Sequence, residues 1–249
     1  MVASMIGSLT TASSAGGTWT PSDIITLGWY DPSQTSTITS ATNLVSQIDD
    51  IGTSGIEHLI QGTVGKQMST GLQTINGLNV LSSITPTRLM ENLTFPVPSS
   101  GNLSIAFVAK IDGQSANTSS SLISMDSPAN ADWQVNSNNT TQFNGALNGG
   151  GLGSFDPLTG GPFTGPDIWT LVFDFDNSTK KTFVNGVERS SGAYTTAMDL
   201  AQKLRIFANR GGAQPIFGLF GEMVITEDVL EETRLNTQTY LVNKWGVTI

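Results

Sequence analysis

The stretch from 168 to 187, IWTLVFDFDNSTKKTFVNGV, constrains this chain more than any other. Trp169, Leu171, Phe173 and Phe175 alternate with Thr170, Asp174 and Asp176. A repeat of two sends alternate side chains to opposite faces of a strand. Asp176, Asn177, Ser178 and Thr179 supply turn chemistry, because their side chains can bond their own backbone. Lys180 to Val184 runs back, and Asn185-Gly186 offers the positive φ of a tight hairpin. Such a hairpin has an aromatic face to bury and a polar face for water. It demands a second sheet and predicts antiparallel strands for the rest of the chain.

The remaining sequence meets that demand. Charged residues make up 12% and glycine 27 of 249 residues, which suits short strands joined by turns rather than helices. Leu103 to Ile111 and Ile216 to Ile225 are nearly continuous in apolar residues, as central strands covered on both faces are. Gly218 and Gly221 inside the second run predict a bulge or a close backbone approach. Shorter strands are expected at Leu27 to Tyr30, Val45 to Asp50, Ser121 to Met125, Ala131 to Asn136, Thr141 to Leu147 and Leu204 to Ala208. Thr20-Pro21-Ser22-Asp23 reads as a turn entering a short helix. One long helix is expected from Glu227 to about Trp245. Thr226 would cap it, and Glu227 and Asp228 suit its positive end. Val229, Leu230, Tyr240, Leu241 and Trp245 would form its apolar stripe, and Gly246 would stop it.

Two segments stand outside this pattern. Residues 1 to 18 are mostly small and polar, yet carry Val2, Met5, Ile6 and Leu9. They predict an extended arm that either folds along its own domain or docks on a partner through those four side chains. Residues 149 to 165 form a loop rich in Gly and Pro that carries Phe155 and Phe163, two further docking candidates. The domain proper then runs from 19 to 249, with its closing helix at 227 to 245.

Composition excludes several functions. A net charge of −9 and a pI near 4.4 make nucleic acid and anionic membrane surfaces poor partners. No run reaches the length of a membrane span. With no cysteine and one histidine, the chain lacks a donor set for structural zinc. The first residues have no basic region and only a broken apolar run, so they are not read as a signal peptide.

Several motifs in fixed order carry a resemblance. They are WTLVFDFDNSTKKTFVNGV, then LRIFANRGGAQPIFGLFGEMVI, then a helix ending in YLVNKWG. Together they resemble the concanavalin A-like, or laminin-G-like, jelly-roll sandwich, in which a v-N-G hairpin precedes a strand reading G-x-x-G-E followed by apolar residues. Gly218, Gly221, Glu222, Met223, Val224 and Ile225 fit that strand. The front half is similar to a subgroup found in bacteriophage and marine bacterial structural proteins. Its pieces here are Trp19-Thr20-Pro21, Trp29-Tyr30-Asp31, Val45-Ser46-Gln47-Ile48-Asp49-Asp50, Ser54-Gly55 and Ile75-Asn76-Gly77-Leu78. Ile48 stands where that subgroup usually has tryptophan. The expected fold class is therefore all-β, an antiparallel two-sheet jelly-roll sandwich with a C-terminal α-helix and an extended N-terminal arm.

Chemical motifs are sparse. Some glucanases share this fold and place carboxylates at E-x-D-x-(x)-E on one strand. That run is missing, and Asp174 and Asp176 are expected on one strand face without the second glutamate. Glu227, Asp228, Glu231 and Glu232 serve the helix dipole. His58 has no G-x-S-x-G elbow for a triad, and reads as a surface or packing residue. The resemblance admits calcium, for which Asp112, Asp126, Asp132 and Asn209 are hard-oxygen candidates, although their spacing matches no loop motif. Trp133 with Asn136, Asn138 and Asn139 is the best aromatic-and-amide cluster for a sugar, unless Trp133 belongs to the core. No catalytic residue and no cofactor are expected. The resemblance implies a non-enzymatic structural protein on a phage virion surface, either capsid decoration, head fibre or tail-associated. It would contact other virion proteins and form a homo-oligomer. The alternative is a glycan-binding module for host recognition.

Overall fold

A computed structural model describes residues 18–84, 88–114, 120–126, 131–139, 142–146, 156–157, 165–195, 198, 201–208 and 216–249. In chain order the first strands are β1 (Gly28–Tyr30), β2 (Ile38–Ala41), β3 (Leu44–Ile48), β4 (Leu59–Ile60), β5 (Thr74–Ile75), β6 (Leu78–Asn79), β7 (Leu81–Ser83), β8 (Met90–Pro96) and β9 (Leu103–Gln114). There follow β10 (Ser120–Asp126), β11 (Ala131–Asn139), β12 (Gln142–Ala146), β13 (Asp156–Pro157), β14 (Pro166–Asp174), β15 (Thr179–Val184), β16 (Val187–Ala193), β17 (Ala201–Ile206) and β18 (Ile216–Thr226), then helix α1 (Glu231–Trp245). Pro21–Asp23 is the short helix expected there, a single 3-10 turn in which Asp23 accepts the Thr20 N–H at 2.7 Å.

The strands form an antiparallel two-sheet jelly-roll sandwich. One sheet runs β1-β18-β9-β14-β15-β16, with β7 also on β18. The other runs β13-β12-β11-β10-β17-β8-β4-β3-β2. Cross-strand register explains the core. Trp169 lies opposite Phe107 and Leu171 opposite Ile105, and the Phe107 and Trp169 rings stack 6.3 Å apart at 6°. Met90, Ile123, Met125, Leu204 and Ile206 meet them from the facing sheet. Ile48, where the phage-like subgroup carries tryptophan, is fully buried in this core.

The hairpin behaves as its residues predict at the turn. Asn185 and Gly186 take φ of 50° and 76°, and Asn185 Oδ1 accepts the Ile168 N–H at 2.8 Å. Two expectations fail nearby. Asp174 and Asp176 do not share a strand face, because β14 ends at Asp174 and Asp176 lies in the turn. Asp174 accepts the Asn177 N–H at 3.0 Å, and Asp176 accepts from Asn102 Nδ2 at 2.7 Å, so both hold the turn. Nor is β14 half solvated, since every position from 167 to 173 is buried. The outward side chain of Ile168 lies in a second apolar cluster with Ala106, Val108, Leu219, Leu241 and Trp245. Helix α1 thus covers the back of this sheet as a third layer.

The helix itself departs from the expected one. It starts at Glu231, because β18 continues through Thr226. Thr226 Oγ1 donates to the Ile25 carbonyl at 2.8 Å and accepts the Asp228 N–H at 3.1 Å. Asp228 then accepts the Leu230 N–H at 2.9 Å and the Thr233 hydroxyl at 2.7 Å. The cap-like residues therefore build a turn before the helix. Leu230 is 66% exposed, off the expected stripe. The buried face consists of Thr233, Arg234, Thr237, Gln238, Leu241 and Trp245. Long polar side chains can cover apolar surface with their stems, and the Arg234 guanidinium lies 4.2 Å over the Phe183 ring. Gly246 ends the helix at φ 64°, as expected. Gly218 also meets its prediction. A Cβ there would lie 2.1 Å from the Lys110 carbonyl oxygen, beside a shift in the β18–β9 register.

Candidate functional site

Among the described residues, polar chemistry gathers in two places. The first joins the motifs of the front half to the end of the chain. Glu222, wholly buried on β18, accepts from Trp29 Nε1 at 2.6 Å, Tyr240 Oη at 2.9 Å and Trp245 Nε1 at 2.9 Å. Lys244 Nζ lies 2.7 Å from Glu222 and 2.6 Å from Asp31. The Trp19 ring meets Tyr240 edge-on at 6.3 Å, and Asn76 Nδ2 donates to the Lys244 carbonyl at 3.1 Å. Burial pushes the Glu222 carboxyl above its ordinary range, and the neighbouring Asp31 adds to the shift against the pull of Lys244 and the Trp245 hydrogen bond. Every donor here is satisfied within the chain. The cluster fastens β1, β18 and α1 together rather than facing a ligand.

The second place is open. Asp50 organises the loop that leads to it. Its carboxylate accepts the N–H of Trp29 at 2.9 Å and of Gly52 at 2.8 Å, and the Ser54 hydroxyl. Its own N–H donates to His58 Nδ1 at 3.1 Å, which puts the proton of the neutral ring on Nε2. The Tyr30 hydroxyl donates to the Glu57 carbonyl. The chain then enters β4, whose Ile60 pairs with Glu91 of β8. Between these strands opens a cleft of about 410 Å³, lined by Ile56, Glu57, His58, Ile60, Gly62 and residues 91 to 94. Asn92 Nδ2 donates to Glu57 Oε2 at 3.0 Å, and Asn92 Oδ1 accepts the Thr94 N–H at 2.8 Å. Arg205 Nε donates to Glu91 at 2.9 Å and Arg205 Nη1 to Asp126 at 2.6 Å. Ile56, Ile60 and Leu93 are 73%, 48% and 56% exposed around these polar groups.

His58 is thus both a packing residue, as read from sequence, and part of the cleft wall. The other residues of this site carry no motif, and sequence reasoning missed them. Asn92-Leu93-Thr94 forms an Asn-x-Thr pattern, which carries no binding chemistry of its own.

The remaining candidates scatter. Trp133, Asn136, Asn138 and Asn139 all fall on β11, with Trp133 opposite Met125, Asn136 opposite Ser121 and Asn144, and Asn139 opposite Gln142. Their side chains lie outside the described residues. Of the calcium candidates, Asp112 pairs with Lys110 at 2.6 Å and Asp126 with Arg205, so each carboxylate faces a cation of the chain itself. Asp132 is a backbone position on β11, and Asn209 lies outside the described residues. Among the described residues no group of three or more His, Cys, Asp or Glu side chains could hold a metal ion. No helix among them is long and apolar enough to cross a membrane. Val2, Met5, Ile6, Leu9, Phe155 and Phe163 all lie outside the described residues, as do the arm and most of the 149–165 loop.

Comparison with known proteins places this geometry. The family described as the concanavalin A-like lectin/glucanases superfamily matches residues 89–236. No curated protein matches the chain. Among solved structures, a Trypanosoma rangeli sialidase in complex with 2,3-difluorosialic acid aligns at 12% identity and a TM-score of 0.60. The alignment covers 89% of this chain and 33% of that one, so the chain spans a third of the sialidase. Domain 4 of a GH43 extracellular arabinanase from Geobacillus stearothermophilus, in complex with arabinotriose, aligns at 14% identity and a TM-score of 0.56. There the coverage is 86% of this chain and 97% of that one. At these identities the likeness shows the fold. It also corrects the expectation of a non-enzyme. Chains that share this fold include sialidases, and a missing E-x-D-x-(x)-E run excludes only one arrangement of carboxylates.

Proposed function

Because the chain belongs to the concanavalin A-like lectin/glucanases superfamily, we propose that it binds glycans in the cleft between 56–62 and 91–94. The cleft carries this reading by its composition. A sugar ring offers apolar C–H faces and a fringe of hydroxyls. Ile56, Ile60 and Leu93 present exposed aliphatic surface of the kind that marks binding sites. Glu57, Asn92, Thr94 and His58 stand beside it with acceptors and a ring N–H. The volume falls within the roughly 300–1,000 Å³ usual for small-ligand clefts. Titrating isotope-labelled protein with a panel of oligosaccharides should shift backbone resonances of 56–62 and 91–94. Shifts confined to other surfaces, or none with any sugar, would sink the reading.

The order Trp19-Thr20-Pro21, Trp29-Tyr30-Asp31, Val45 to Asp50 and Ile75-Asn76-Gly77 supports a setting for that activity. This order resembles bacteriophage virion proteins. In that setting the chain is a capsid decoration, head fibre or tail-associated protein on the virion surface, forming a homo-oligomer. Val2, Met5, Ile6 and Leu9, with Phe155 and Phe163, are its apolar anchors on other virion proteins. Removing residues 1 to 18 should abolish incorporation into particles and leave the sandwich folded. Normal incorporation of that truncation counts against the docking role.

A further inference from the structure

Resting on the glycan reading above, we infer that the cleft prefers sugars bearing an amine and turns away sugars bearing an acid. Its polar complement is lopsided. Glu57 Oε2 takes the Asn92 amide and Glu91 Oε2 takes Arg205, while the second oxygen of each carboxylate has no hydrogen bond from the described residues. The cation beside the cleft is already engaged, since Arg205 divides between Glu91 and Asp126 and its side chain is 8% exposed. Behind His58, Asp49 lies 3.7 Å from Nδ1 and adds a further carboxylate. Among the described lining residues, the ring N–H of His58, the second amide N–H of Asn92 and the Thr94 hydroxyl are the side-chain donors set against these acceptors. Asn92 uses its carbonyl on Thr94 and an amide N–H on Glu57.

An ammonium group brings three donors and a positive charge to two part-free carboxylates. Hydroxyls satisfy the same oxygens without the charge. The carboxylate of an acidic sugar meets like charge from Glu57 and Glu91, which is how a site rejects a competitor. The aliphatic rim of Ile56, Ile60 and Leu93 keeps water from one side, which strengthens both the attraction and the rejection. The chain's net charge of −9 acts in the same direction at long range.

The test is calorimetric titration of the full chain at pH 6 and low salt. Three ligands are compared: the glucosamine trimer, the N-acetylglucosamine trimer and sialyllactose. The amine-bearing trimer is expected to bind about ten-fold more tightly than its acetylated counterpart, the worth of one hydrogen bond between charged groups, and sialyllactose to give no heat. Glu57→Gln keeps an acceptor for the Asn92 amide and should remove most of that ten-fold. Thr94→Lys, at an exposed position, should weaken the amine-bearing trimer and admit sialyllactose. Sialyllactose binding as tightly as the glucosamine trimer, or an amine preference unchanged in both variants, overturns the charge preference while leaving a glycan site in place. No heat from any of the three also overturns it, and the broader oligosaccharide panel then decides the glycan reading separately.

Discussion

The indole N–H of Trp29 donates to Glu222 Oε1 at 2.6 Å, across 193 positions of sequence. Trp29 sits on β1 and Glu222 on β18, and the same two strands pair from Gly28–Ile225 to Tyr30–Met223. The bond therefore closes an edge of the sandwich from a side chain as well as from the backbone. It also anchors a wider set, because the same carboxylate takes Tyr240, Lys244 and Trp245 of the helix. Trp19, Trp29, Asp31 and Asn76, separate pieces of the front-half motif, all end on this helix or on Glu222.

Removing that carboxylate should cost much of the chain's stability. Glu222→Ala leaves the indole donors of Trp29 and Trp245 without an acceptor, and Lys244 with Asp31 and the Tyr240 hydroxyl. Breaking a buried, hydrogen-bonded charge pair costs about 3–5 kcal/mol. Chemical denaturation is the measurement, and a loss below about 1 kcal/mol would show that the cluster is not the fastening described here.

The same residue should give stability a definite pH dependence. Its folded carboxyl lies above the ordinary value of 4.5, chiefly through burial. The folded state then holds a proton that the unfolded state has released, so unfolding stability falls as pH rises. The contribution of Glu222 is greatest below the ordinary value and is lost as pH climbs through the raised one. Unfolding free energies of the native chain and Glu222→Gln, taken from acid to neutral pH, should move in favour of the variant as pH rises. A difference that stays flat or moves the other way contradicts the assignment.

Asp50 should control the wall of the cleft. Its carboxylate holds the N–H groups of Trp29 and Gly52 and the Ser54 hydroxyl, and Glu57 and His58 follow directly. Asp50→Ala frees these part-buried donors at a cost of about 1–3 kcal/mol. Hydrogen exchange should accelerate over 49–58 while β9 and β14 keep their protection, and oligosaccharide binding should weaken. Unchanged exchange in that loop would show that the backbone, not Asp50, shapes it.

Leu93 separates binding from folding. It is 56% exposed on the rim of the cleft. Surface substitutions of this kind usually shift stability by no more than about 0.5 kcal/mol. Leu93→Ser should therefore keep the melting temperature and lose oligosaccharide affinity by about ten-fold through lost apolar contact. Affinity electrophoresis in gels containing the bound sugar reads this directly, and retained retardation would place the site elsewhere.

Much of the scaffold was legible before any coordinates. The hairpin of β14 and β15 was readable because alternation and a positive-φ Asn-Gly pair are local properties. The glycines of β18 marked a bulge for the same reason, since a missing side chain signals a close neighbour. The helix was harder. Thr226 and Asp228 have the chemistry of a cap, yet β18 runs on to use Thr226, and the helix buries Thr233, Arg234, Thr237 and Gln238. An apolar stripe cannot reveal a face whose partner is the aromatic ring of Phe183.

Residues 168 to 187 by themselves determined that this chain builds antiparallel sheets around an aromatic core. Period-two burial and turn geometry depend on neighbours within a few positions. Only the tertiary structure decided that β14 is covered on both faces, that Glu222 sits at a junction, and that a cleft opens where β4 meets β8. Each of these depends on which distant surfaces are brought together. Ile60 and Glu91 become neighbours through a ladder of hydrogen bonds that no local pattern in either segment specifies.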